Sequence, residues 1–178
     1  MANSQVITKI KQSVVRQLIN NDEFVKVIDN PDMKNEDWMP IYLKQSEMTE
    51  EAGFIPSIYT SFKFPNMIEK NISFVCIAVN EAGSLDNKLI NADLHIIIFT
   101  HKDHMLIKDS SIPDNRNDYL SIIIDSIFNG KTLKYDNKDA YLGKFYLISN
   151  TEDAYDDNFL IRHMVYRCND LNINFCEW

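Results

Sequence analysis

Three of the four histidines fall in one short stretch, "NADLHIIIFTHKDHMLI" (91–107), in the company of Asp93 and Asp103. Imidazoles and carboxylates at short spacing are the raw material of metal centres and of general acid–base catalysis. Spacing decides what this stretch can do. A strand over residues 92–101 puts Asp93, His95, Ile97, Phe99 and His101 on one face, because successive side chains alternate. The same geometry separates His95 from His101 by about 20 Å. Ligands sit about 2 Å from a metal ion, so one ion cannot take both. His101, Asp103 and His104 lie closer together and define the alternative of a small metal-dependent hydrolase. They lack helical H-x-x-x-H spacing and a companion Cys or Glu motif. The stretch therefore reads as a strand with a wet end, its histidines structural. His163, alternating with Ile161 and Val165, reads as a sheet residue too.

Other chemistry is thin. The four glycines, Gly53, Gly83, Gly130 and Gly143, form no G-x-G-x-x-G, P-loop or G-x-S-x-G signature. "TEDAYDD" gathers Glu152, Asp153, Asp156 and Asp157, but it lacks the central glycine and twelfth-position glutamate of an EF-hand and reads as a solvated hairpin turn. Cys76 and Cys168 end or interrupt apolar runs and read as small buried hydrophobes; Cys176 completes an odd, widely spaced set with no C-x-x-C pair. No catalytic, metal-binding or cofactor-binding residue is assigned, and the expectation is a protein that is not an enzyme.

The elements that would carry these residues follow from periodicity. Val6, Ile10, Val14 and Leu18 recur every four residues, widened by Ile7 and Val15, and predict an amphipathic helix over 4–28. Asn3 or Ser4 caps it, the Asn20–Asn21 pair divides it into a long and a short piece, and Pro31 bars its continuation. "ISFVCIAVNE" (72–81) and "LINADLHIIIFTH" (89–101) are β-branched runs expected to pair antiparallel across a polar turn. "DNRNDYLSIIIDSIFNG" predicts a helix with caps among Asp114–Asn117, a stop at Gly130, and Tyr119, Ile122, Ile123 and Ile127 on its apolar face. After a polar connector, "LGKFYLISN" and "NFLIRHMVYRCND" are two further strands separated by the acidic turn. The expected class is α+β: a small, mostly antiparallel sheet with helices packed on one face and a long irregular insertion after the first helix. Residues 1–171 form a single domain in this reading, with an extended loop at 29–70 and a C-terminal arm at 172–178.

That loop is too apolar for a linker, carrying Trp38, Tyr42, Phe54, Ile55 and Tyr59 among others, and must be covered by its own domain or by a neighbouring subunit. The arm ends in Phe175 and Trp178, aromatics suited to an interface. The net charge of −8 argues against a dedicated nucleic-acid binder, which needs a basic face to displace counterions from phosphates. No signal peptide opens the chain, and no apolar run approaches the ~20 residues that span a bilayer, so no membrane is expected and a reducing, cytoplasmic setting is.

The succession "ADLHIIIFTHKDHMLIKD", "RNDYLSIIIDSIFNG" and "LGKFYLISNTEDAYDDNFLIRHMVYRCNDLN" resembles the tail terminator and tail-completion (neck ring) proteins of bacteriophages over roughly residues 72–171. The resemblance implies a structural virion protein, assembled in the host cytoplasm into a homo-oligomeric ring of six or twelve copies. Its partners would be the tail tube, neck or portal proteins, and DNA would pass through its lumen without specific binding. On that reading Trp38, Tyr42, Phe54, Ile55, Tyr59, Phe175 and Trp178 contact subunits or partners. Glu152, Asp153, Asp156 and Asp157 form an acidic loop facing the lumen or a partner, where negative charge lets DNA slide. A soluble acidic adaptor module is the remaining alternative.

Overall fold

The computed structural model of the chain describes residues 4–29, 57–62, 71–85, 89–108, 115–134 and 141–172. The N-terminal stripe forms helix α1 (Ser4–Ile19), with Val6, Ile10, Val14, Val15 and Leu18 all buried. The asparagine pair does break the helix. Asn21 is extended, and its side chain accepts a 2.8 Å hydrogen bond from the Phe24 amide to cap α2 (Asp22–Ile28). Asp22 and Glu23 place negative charge at the positive end of this short helix. It closes on Asp29 in the left-handed conformation, φ 59°.

The strands are β1 (Ile58–Tyr59), β2 (Ser73–Leu85), β3 (Leu89–His101), β4 (Lys131–Lys134), β5 (Tyr141–Ala154) and β6 (Phe159–Asn172). Helix α3 (Arg116–Phe128) joins the two groups of strands, after a one-turn 3-10 helix at Lys102–His104. The sheet order is β1-β2-β3-β6-β5-β4, antiparallel throughout except for the parallel β1–β2 edge. The last strand thus inserts beside β3, bringing residues far apart in sequence into cross-strand contact at the centre.

The α+β expectation holds, with helices on one side of the sheet. That side carries the main core: Val75, Ile77, Leu94, Ile96, Ile98, Phe145, Met164, Tyr166 and Cys168 from the strands, against the apolar stripes of the helices. Burying a large side chain of this kind contributes about 1.5–3 kcal/mol, so this layer dominates stability. The opposite side holds a smaller cluster of Phe74, Cys76, Ile97, Phe99 and Phe159. Phe74 stacks on Phe99 with centroids 4.7 Å apart and meets Tyr59 and Phe159 edge-on.

Three expectations need correction. On α3 Ile123 is buried, and Tyr119 and Ile127 pack partly buried against the core, as expected, but Ile122 is 54% exposed, and Leu120, Ile124 and Phe128 complete the buried face. A run of three isoleucines leaves the helical phase ambiguous, and the packing partner chooses it. The connector after this helix contains β4, an edge strand with one buried residue, Leu133, too short to show a period. The stretch 29–70 contributes β1, two residues paired with Val75 and Cys76. Propensity could not flag so short a strand; the exposed edge of β2 recruits it.

Candidate interaction surface and its polar networks

The histidine-rich stretch was the first candidate for chemistry, and the fold disperses it. His101 Nδ1 accepts the Asp103 amide at 3.2 Å, capping the 3-10 turn. His104 turns away, its Nδ1 2.9 Å from Ser73 Oγ and its Nε2 3.4 Å from Asp29. Burial, then the Arg116 charge, hold the His104 pKa below its ordinary value against the opposing pull of Asp29. Among the described residues no group of three or more potential ligands converges on a metal position. The His101, Asp103, His104 triplet is therefore three parts of two different local structures.

Arg116 organises this end of the molecule, and sequence reasoning missed it. Its guanidinium is buried and donates to three backbone carbonyls, those of Val27, His104 (2.7 Å) and Leu106 (3.3 Å), and reaches Asp29 at 3.4 Å. It ties the end of α2 to the loop before α3.

The acidic hairpin is real, but its residues divide. Glu152 and Asp153 lie within β5, and only Tyr155–Asn158 form the turn. Glu152 ion-pairs with Arg162 at 3.0 Å, and Arg162 also holds Asp118 of α3 and reaches Asn150 at 3.3 Å. Asp156 Oδ1 accepts the Asn158 and Phe159 amides, each at 2.8 Å, which shapes the turn. Asp153 and Asp157 make no such tie to α3; all four acids are exposed. What the hairpin presents outward is a short acidic tip beside Tyr155, whose ring packs edge-on to Phe99.

Of the residues named for contacts, Tyr59 is half-buried in β1, its ring against Phe74 of its own sheet. Trp38, Tyr42, Phe54, Ile55, Phe175 and Trp178 lie outside the described residues.

On the sheet face away from the helices, a polar row continues where the aromatic cluster ends. Asp93 and Arg167, directly opposite across β3 and β6, make a bidentate pair with both contacts at 2.8 Å. That hydrogen bonding, outweighing partial burial, lowers the Asp93 pKa. Next to it His95 Nδ1 lies 2.9 Å from His163 Nε2, and His95 Nε2 lies 3.1 Å from Asn80 Nδ2. This contact was not foreseen: parity put both histidines on sheet faces, but only the strand order makes them neighbours. Burial pushes the Cys168 thiol up to about 12, and Cys76 is fully enclosed, so neither is a nucleophile.

Among the described residues no helix is long and apolar enough to cross a membrane. No curated protein matches the chain. A chain from the virion of a native gene transfer agent particle has a similar fold, with a TM-score of 0.57 at 9% identity, covering 96% of this chain and 100% of that one. At that identity the likeness concerns the fold alone. Residues 18–168, from the end of α1 to the buried Cys168 of β6, match the family model YomW, and the chain belongs to the YomW family.

Proposed function

We propose that the protein is a structural component of a phage-type virion, a subunit of a closed ring at the neck or tail end that mediates tail attachment around the DNA channel. The observation that carries this is the fold likeness to a virion chain, which covers 96% of this chain and 100% of that one. The resemblance of residues 72–171 to tail terminator and tail-completion proteins supports the same role.

In this reading the work is mechanical. A ring subunit presents different surfaces to its two neighbours and to the partners above and below. Trp38, Tyr42, Phe54, Ile55, Phe175 and Trp178 supply contact area, with Tyr59 continuing it from the sheet edge. The acidic stretch of Glu152 and Asp153 at the end of β5 and Asp156 and Asp157 in the turn faces the lumen or a partner. A lumen of net negative potential repels phosphates and lets DNA pass, and the chain charge of −8 is of the required sign.

Disruption of the gene in the element that encodes it tests the role. Electron micrographs should show filled heads and separate tails that do not join, with joining restored by the gene supplied in trans. Normal, infectious particles from the disrupted element would reject the proposal.

A further inference from the structure

We propose that His95 and His163 form a two-imidazole chelate for a borderline divalent transition ion of the Zn²⁺, Ni²⁺, Cu²⁺ class, on the sheet face away from the helices. The site is independent of the ring reading. His95 pairs with Val165 and His163 with Ile97, so the two rings are diagonal neighbours on central strands and point to the same side. Their facing nitrogens, His95 Nδ1 and His163 Nε2, are 2.9 Å apart. Two nitrogens bound at about 2.0–2.1 Å and at a right angle around one ion stand about 2.9 Å apart, and about 3.4 Å apart if the angle is tetrahedral. The rings already have the separation of adjacent ligands in a square or octahedral complex.

Without metal, the contact needs one proton between the two nitrogens. If Asn80 Nδ2 donates to His95 Nε2, His95 carries its proton on Nδ1 and donates it to His163 Nε2. Binding an ion moves that proton to His95 Nε2, and half a turn of the Asn80 amide presents Oδ1 to accept it. Asn80 thus becomes an outer partner that fixes ring and tautomer, as metal-bound histidines usually require. No net proton is released above the imidazole pKa values.

The surroundings favour neutral, ligating rings. Burial lowers the pKa of both, more than nearby Asp93 raises that of His95, and His95 itself lowers that of His163. Among the described residues the charged groups on this face are Asp93 and Arg167, which neutralise each other in their bidentate pair, Lys144 over the Tyr146 ring, and Asp153 further along β5. Asn80 from β2 and Thr151, opposite His163 on β5, are uncharged. Both rings are half-buried rather than sealed, so an ion can reach them and complete its shell with water. Imidazole nitrogens select Zn²⁺, Ni²⁺ and Cu²⁺ over Mg²⁺ and Ca²⁺.

Titration calorimetry of the full chain with NiCl2 should give one equivalent bound per chain, with no heat from MgCl2. H95Q and H163Q should each abolish that equivalent, H101Q should keep it, and N80A should weaken it about tenfold. Copper supplies a readout that needs no variant: the spin-resonance spectrum of the parent protein with one equivalent of Cu²⁺ should show coupling to two imidazole nitrogens. Failure of the parent to bind, binding that survives the H95Q/H163Q double variant, or a copper spectrum with fewer than two nitrogens would overturn the proposal.

Discussion

Arg116 shows how a single side chain can replace a missing piece of secondary structure. The end of α2 and the loop before α3 carry carbonyls with no helical partner, and the guanidinium supplies donors to three of them. Its Asp29 contact matters less, since that carboxylate is half exposed and surface pairs contribute little. Arg116→Met keeps the aliphatic stem but orphans the carbonyls, and should cost about 3 kcal/mol in urea denaturation. His104 sits in the same knot and gives it a pH dependence. Its folded-state pKa is lowered from 6.5 by burial and by Arg116, so the unfolded chain takes up the proton first. Its contribution to stability is complete above the ordinary value and falls as pH drops through it toward the folded-state value. Denaturation midpoints measured from pH 7.5 to 5 should decline, and H104Q should flatten that decline. In the sequence, His104 was conspicuous and Arg116 was not. The histidine advertised chemistry by type, whereas the arginine's role depends on loops that converge only in three dimensions.

At the scale of elements, periodicity carried most of the architecture. The N-terminal stripe, the divided helix, the antiparallel β2–β3 pair and the final hairpin all follow from alternation or a four-residue recurrence. The failures are physical rather than accidental. β1 and β4 are too short to have a period and exist because a longer neighbour offers an edge. The phase of α3 is set by what it packs against, which an isoleucine run cannot reveal. The glycines show the same division. Gly143 adopts φ +142° in β5, and a Cβ there would lie 2.3 Å from Cys168 Sγ of β6. Gly130 follows α3 at φ +67° with nothing within 4 Å, and its amide donates to Phe145 at 2.7 Å as the chain turns into β4. G130A should therefore cost about 1 kcal/mol, the penalty of a left-handed backbone alone. G143A should cost about 3 kcal/mol, because conformational strain and a steric clash add. Paired thermal melts of the two variants check the ordering. Equal losses would show that the β5–β6 contact is more compliant than the geometry implies.

Among the described residues the sheet has two sides, and they differ in kind. One is sealed by helices over the main core; the other passes from an aromatic cluster near the acidic hairpin to the Asp93–Arg167 pair and the facing histidines. The chain belongs to the YomW family and shares its fold with a chain of a gene transfer agent virion. Few glycines and no catalytic constellation were readable from the sequence and pointed away from catalysis, while the acidic charge pointed away from a dedicated nucleic-acid binder. The polar row on the face away from the helices was not readable, because it is written by strand order. The most direct test of the structural role is the number of copies in purified particles, counted by quantitative mass spectrometry against an internal standard. A ring subunit should be present at six or twelve copies per particle. Its absence from particles, with all of the protein left in the soluble fraction, would contradict the account.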